Sequence, residues 1–238
     1  MNIKKHIPNL ITLLNLFSGC IALVFAIDLN FEMAFFFVSL GIFLDFFDGF
    51  FARLFKVSSP LGLQLDSLAD MVTSGLVPGF VMFIMLNNYT VATDNWIAYL
   101  GFIITLGSCY RLANFNIDER QTDSFIGLPT PANALFILSL PLVLQHTNSE
   151  IVDLVLKNQL VLISITALST YILNAEIPLF SLKIKEFNLI KNKLQILFLT
   201  ISVLLLVAFQ FLGIPLVILF YLALSVLKNR EEKVINKE

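Results

Sequence analysis

The chain has 238 residues, of which 58% are hydrophobic and 13% charged, with a formal net charge of −2 and a mean hydropathy of +0.87. Soluble domains carry about a quarter charged residues, so this composition excludes an ordinary soluble globule and points to an integral membrane protein. With no basic tract and no recognisable reader motif, nucleic-acid binding is excluded as well.

In chain order, Met1–Pro8 places Lys4, Lys5 and His6 ahead of an apolar run, as a signal peptide does. No small-residue cleavage site follows, so a retained first span is expected. Apolar blocks long enough to cross a bilayer then predict spans at 10–27, 33–55, 61–86, 96–115, 131–145, 160–174, 194–211 and 214–227. The sixth has an alternative start near Ile151. The last two are separated only by Leu212 and Gly213, with Pro215 just beyond, which predicts a tight hairpin. The expected fold is an all-α, polytopic transmembrane helical bundle of about eight spans, with a six-span core at 1–180. Residues 181–238 then add a cytoplasmic loop (Lys183–Lys193), the hairpin and a short polar tail. An even number of spans puts both termini on one side. That arrangement gathers every Lys and Arg except Lys157 on the same side or at its boundary, which the positive-inside rule assigns to the cytoplasm. Cys20 and Cys109 have no metal or redox spacing and are expected to be buried, inert thiols.

Four aspartates interrupt the second and third spans. Asp45 and Asp48 are three residues apart, and Asp66 and Asp70 four apart. Each pair therefore lies on one helix face, one turn apart. A carboxylate at mid-bilayer costs about 2.5–3.5 kcal/mol, so four would cost on the order of 10 kcal/mol uncompensated. Only Arg53 and Lys56 are near, and oxygen ligands converging from two helices suggest divalent cations as the compensation. One or two such ions between shared carboxylates suit phosphoryl chemistry on a diphosphate. Gly49 and Ala52 let a ligand approach the helix backbone, although small residues there, and at Gly62, equally suit close helix packing. Arg53 at the membrane boundary can grip phosphate in bidentate fashion. The pairs flank the cytoplasmic turn at 54–60, so the site is expected to open towards the cytoplasm.

Taken together, Asp45-x2-Asp48-Gly49-x2-Ala52-Arg53-x8-Gly62-x3-Asp66-x3-Asp70 resembles the signature of the CDP-alcohol phosphatidyltransferases at all eight fixed positions. The resemblance implies a membrane-embedded, metal-dependent enzyme that displaces CMP from a CDP-linked lipid with an alcohol. It implies that Asp45, Asp48 and Asp66 hold one Mg²⁺ or Mn²⁺, that Asp66 and Asp70 contribute to a second, and that Asp70 is the general base. It assigns Asp48, Gly49, Ala52, Arg53 and Gly62 to the CDP-lipid. The opening Ile7-Pro8-Asn9-Leu-Ile-Thr12-Leu-Leu-Asn15 is similar to the family's first segment, which brings Asn9 and Thr12 to the nucleotide. Their residue-level alternative is a helix start signal.

Two further stretches, 110–116 and 125–133, resemble the serine-using, membrane-embedded branch of that family. They imply CDP-diacylglycerol and L-serine as substrates among membrane lipids, and a homodimer. Arg111, Asn114 and Asn116 are the candidate serine-binding residues, Asn114 standing where a basic residue is expected in many relatives. Arg111 alone reads equally as a snorkelling anchor. The alternatives are another acceptor alcohol (glycerol 3-phosphate, inositol phosphate or choline) and, in a different class, a divalent-cation transporter. The transporter is disfavoured because the later spans carry no second acidic pair.

Overall fold

The computed structural model describes residues 6–57, 59–89, 96–118, 126–180 and 192–235. Lys4, Lys5, Arg120, Phe125 and most of the expected Lys183–Lys193 loop lie outside them. Among the described residues the elements are α1 (Ile7–Ile27), α2 (Phe31–Leu54), α3 (Pro60–Asp70), a π-helical turn (Met71–Leu76) and α4 (Val77–Asn88). A 3₁₀ turn (Trp96–Phe102) leads into α5 (Ile103–Phe115), and α6 (Thr130–His146), α7 (Glu150–Leu156), α8 (Gln159–Asn174), α9 (Lys193–Phe209) and α10 (Gly213–Ile235) follow. The only β pairing among these residues is one isolated bridge between Ile126 and Pro178. The chain is an all-α, polytopic membrane bundle.

The helices start where local chemistry satisfies their free N–H groups. Asn30 accepts from the Met33 N–H at the start of α2, and Ser59 accepts from the Gly62 N–H at the start of α3, where Pro60 presets φ. The α2 C-terminus closes with Lys56 in the left-handed region (φ 53°) and the Val57 N–H bonded to the Ala52 carbonyl. This is the usual αL helix stop, made here by a lysine in place of glycine.

The span expectations hold for position but differ in number. Among the described residues five helical runs are long and apolar enough to cross a membrane, or six when α7 and α8, bent by 67° at Lys157–Asn158, form one broken span. The difference from eight has two sources. Helix α6 is 17 residues long, and Lys193–Arg230 counts as a single 38-residue run. That run nevertheless doubles back: Phe198 of α9 stacks on Phe220 of α10 at 6.0 Å, and Gln210 turns with φ 48°. A Cβ on Gly213 would sit 2.6 Å from the Leu205 carbonyl oxygen, so the expected hairpin is as tight as a glycine allows.

One expectation fails. Cys20 and Cys109 are both exposed. Lipid is as apolar as a protein interior, so in a membrane span apolar character does not drive a side chain inwards. What the first span does bury is its small and polar stripe: Pro8, Thr12, Asn15, Ser18, Gly19, Ala22 and Ala26.

This stripe packs α1 against α2 and the π-helical turn. A Cβ on Gly41 would lie 2.7 Å from both Asn15 Oδ1 and Thr73 Cγ2. Gly41→Ala is therefore expected to lower stability by about 1–3 kcal/mol through overpacking. Thermal unfolding in detergent checks it, and an unchanged Tm would show that α1 and α2 can part without loss.

Candidate functional site

The acidic groups are positioned by three helices. Helix α2 carries Asp45 and Asp48 in its last turns, and α3 starts after the turn at 55–59 and brings Asp66 and Asp70 back beside them. Carboxylate oxygens from Asp45, Asp48 and Asp66 all lie within 4.8 Å of one another, as one group among the described residues. Asp48 is buried and Asp45 and Asp66 are half-buried. Oδ1 of Asp45 is buried with no hydrogen-bond donor to satisfy it. An all-carboxylate cluster with an orphaned buried oxygen fits a hard divalent cation, which takes oxygen ligands from several side chains at once. The fourth aspartate is not in this trio. Asp70 sits one turn further into the span, is only 9% exposed, and its Oδ1 accepts from Asn15 Nδ2 at 3.2 Å.

Helix α1 supplies the polar partners. Thr12 Oγ1 donates to Asp48 Oδ2 at 2.5 Å. Hydrogen bonds to a charged acceptor are among the stronger neutral-donor contacts, so this one fixes the Asp48 rotamer. Asn15, one turn on, does the same for Asp70, and its own backbone carbonyl accepts from Thr73 Oγ1 at 3.2 Å. Thr73 lies in the π-helical turn that begins immediately after Asp70. Such turns widen a helix locally and recur at functional sites; here the turn carries Thr73 to α1 and buries Thr73, Ser74 and Gly75.

Beside the aspartates is a cavity of about 430 Å³ lined by Pro8, Asn9, Thr12, Asp48, Gly49, Ala52, Lys56, Val57, Ser59, Gly62, Leu63 and Asp66. Asn9, Thr12, Asp48, Gly49, Ala52 and Gly62 are thus brought together as expected. A Cβ on Gly62 would lie 3.2 Å from both Asn9 Oδ1 and Ser59 Oγ, which explains the small residue there by space. Arg53 is exposed and absent from the lining, its guanidinium lying back along the helix near Gly49. The cation that does line the cavity is Lys56.

Arg111, Asn114 and Asn116 are split between two tasks. Arg111 is buried, and its Nη1 donates to the carbonyls of Ile126 (2.8 Å) and Leu173 (2.6 Å), tying the end of α8 to the chain before α6. With Asn114, Tyr110, Asp118 and Glu176 it lines a small polar cavity of about 170 Å³. Asn116 points elsewhere: its Nδ2 donates to Ser67 Oγ at 2.8 Å, one residue from Asp66.

Sequence reasoning missed Asn15 and Lys56 as site residues. Asn15 carried a signal, since it falls three residues after Thr12 on the stripe of small and polar residues that α1 buries. Lys56 was legible only as a cation near the aspartates, because its place in the lining depends on the left-handed turn that ends α2.

Residues 5–172 match the family model described as CDP-alcohol phosphatidyltransferase. Among curated proteins, the CDP-diacylglycerol–serine O-phosphatidyltransferase of Bacillus subtilis (strain 168) is 36% identical over 131 residues, covering 53% of this chain and 70% of that protein. The proteins of the same name from Helicobacter pylori (strain J99) and Saccharomyces cerevisiae are 35% and 34% identical over 133 and 151 residues. These matches cover 55% and 57% of this chain, and 55% and 53% of the two proteins, about half of each.

Proposed function

This chain belongs to the CDP-alcohol phosphatidyltransferase family, and from that premise we propose that it transfers the phosphatidyl group of CDP-diacylglycerol to L-serine, giving phosphatidylserine and CMP. The observation that carries the reading is one cavity in which Asp48 and Asp66 of the acidic trio meet the small residues of the signature and the opening segment of α1. The relatives' shared name supports serine as the acceptor.

The chain's own residues account for the steps. Gly49, Ala52 and Gly62 leave room for the nucleotide, with Asn9 and Thr12 on its polar edge and Lys56 and Arg53 available to its phosphates. Asp45, Asp48 and Asp66, with Asp70 at their edge, would hold the cation, Mg²⁺ or Mn²⁺, one ion or two. Bound there, a divalent cation neutralises the diphosphate and polarises its phosphorus. Asn15 holds Oδ1 of Asp70, which leaves Oδ2 to take the proton from the serine hydroxyl. The freed oxygen attacks the lipid-side phosphorus, a new P–O bond forms, and the P–O bond to CMP breaks with its electron pair leaving on CMP. Catalysis of this kind rests on alignment as much as on proton removal.

In this reading the six-span unit at 1–180 carries the chemistry, consistent with a family match that ends at residue 172. The site faces the cytoplasm of a cell membrane, supported by the basic residues gathered on that side. The family resemblance implies a homodimer. Serine binds near Arg111 and Asn114, with Asn116 holding Ser67 and through it the helix of Asp66. Arg111→Lys is expected to raise the KM for serine at least about tenfold and leave that for CDP-diacylglycerol unchanged, because a bidentate carboxylate grip is lost. A fall in Tm with no change in either KM would leave Arg111 only its clamp on the Ile126 and Leu173 carbonyls.

The deciding test is CMP release from CDP-diacylglycerol by the purified chain with Mg²⁺ or Mn²⁺, offering L-serine, glycerol 3-phosphate, inositol, inositol phosphate or choline. Serine-dependent release with formation of phosphatidylserine is expected. Release with another alcohol alone would move the chain to a sister activity, and no release by folded, metal-binding protein would overturn the reading.

A further inference from the structure

The family match ends at residue 172, so the segment that follows α8 and the closing hairpin lie beyond it. That segment is irregular. Residues 175–180 form a strap that leaves α8 and pairs with the stretch entering α6. The Gly127 N–H donates to the Ile177 carbonyl at 2.9 Å, beside the bridge between Ile126 and Pro178. Non-helical backbone in a membrane protein persists where protein covers it or where it lines a polar cavity. Both conditions hold here. Ala175, Leu179 and Phe180 are buried, and Ala175 and Glu176 form one wall of the small cavity that holds Arg111 and Asn114. The stretch opposite is tied to the same cavity, since the Ile126 carbonyl accepts from Arg111 Nη1. Gly127, at φ 74°, has no room for a side chain: a Cβ there would stand 2.8 Å from Arg111 Nη1 and 2.6 Å from the Leu173 carbonyl oxygen.

Two strap carbonyls take their donors from α10. The Tyr221 hydroxyl donates to the Phe180 carbonyl at 2.9 Å, and Asn229 Nδ2 donates to the Pro178 carbonyl at 2.6 Å. The Phe180 ring meets Tyr221 of α10 at 4.8 Å and Phe198 of α9 at 5.7 Å, so both helices of the hairpin bear on the strap. Water satisfies a carbonyl without fixing its position. Two side chains from one helix do both.

We propose that the C-terminal hairpin sets the affinity for the acceptor alcohol, with Tyr221 and Asn229 as positioning residues that hold the strap and, through it, the wall of the Arg111 cavity. This rests on the reading that the acceptor binds beside Arg111. The contacts run unbroken from Tyr221 and Asn229 to the strap backbone, from the strap to Ile126 and Gly127, and from Ile126 to the guanidinium. Neither residue lines the cavity beside the aspartates, so the effect falls on the acceptor and spares the CDP-linked lipid.

The test is steady-state CMP release by the full chain in mixed micelles, with serine and CDP-diacylglycerol varied in turn. Tyr221→Phe keeps the ring contacts and loses only the hydroxyl. It is expected to raise the KM for serine about five-fold, the effect of one hydrogen bond, with the KM for CDP-diacylglycerol unchanged. Asn229→Ala is expected to give the same split. Ser225→Ala is the control, because Ser225 Oγ donates to the Tyr221 carbonyl within α10; its KM for serine is expected to match wild type. An unchanged serine KM in either strap variant overturns the proposal. So does an equal rise in both KM values, or a rise in Ser225→Ala as large as in Tyr221→Phe. If Tyr221→Phe fails to fold, Asn229→Ala decides. Should the wild-type chain use another alcohol and not serine, the serine reading has failed, and the same split is expected in that alcohol's KM; its absence there overturns this proposal too.

Discussion

Asp70→Asn is expected to lower CMP release at least about a hundred-fold while leaving CDP-diacylglycerol affinity within about three-fold, since general-base catalysis contributes roughly 10²–10⁴. The substitution is nearly isosteric, and an asparagine carbonyl still accepts from Asn15 Nδ2, so the α1–α3 contact persists. What is lost is the ability to take a proton. Because Asp45, Asp48 and Asp66 remain grouped without Asp70, CDP-lipid binding is expected to survive. Turnover and equilibrium binding of the CDP-lipid, measured on the same preparation, separate the outcomes. If binding falls in step with turnover, Asp70 holds metal or ligand and is not the base.

Asp45→Asn is expected to act on the other half of the site, with CMP release falling at least about a hundred-fold, a loss of roughly 3 kcal/mol of transition-state stabilisation. Asp45 offers the orphaned buried oxygen of the cluster, so replacing its carboxylate removes charge where no other donor compensates. Two readouts check this. Chelation of the wild-type chain should abolish CMP release, and added Mg²⁺ or Mn²⁺ should restore it. Asp45→Asn should need a higher metal concentration for half-maximal rate. Full activity after exhaustive chelation would show that the acidic cluster works without a cation. An unchanged metal requirement in Asp45→Asn would place the ion on Asp48 and Asp66 alone.

The two variants also show which parts of the site a linear reading reaches. Charge in an apolar run is visible without coordinates, because its desolvation is unfavourable wherever the helices go. That is why Asp45, Asp48, Asp66 and Asp70 stood out, and why their three- and four-residue spacing placed each pair on one face. The hairpin at Gly213 was legible for a similar reason: a break of two residues between apolar runs leaves the chain little choice.

The membrane class, the order of the helices and the acidic pairs with their small neighbours are thus written in the linear chain. It takes the packed helices to bring Asn15 to Asp70, to let Thr73 meet α1 through a π-helical turn, and to line the cavity with Lys56 and not Arg53. Packing also turned Cys20 and Cys109 outwards and bent α7 from α8. The physical reason is common to all of these. In a bilayer the hydrophobic effect does not sort side chains between core and surface. Which face of a helix turns inwards is set by close packing and by polar groups finding one another across the chain, and those partners are 55 and 58 residues apart for Asn15 with Asp70 and Thr73.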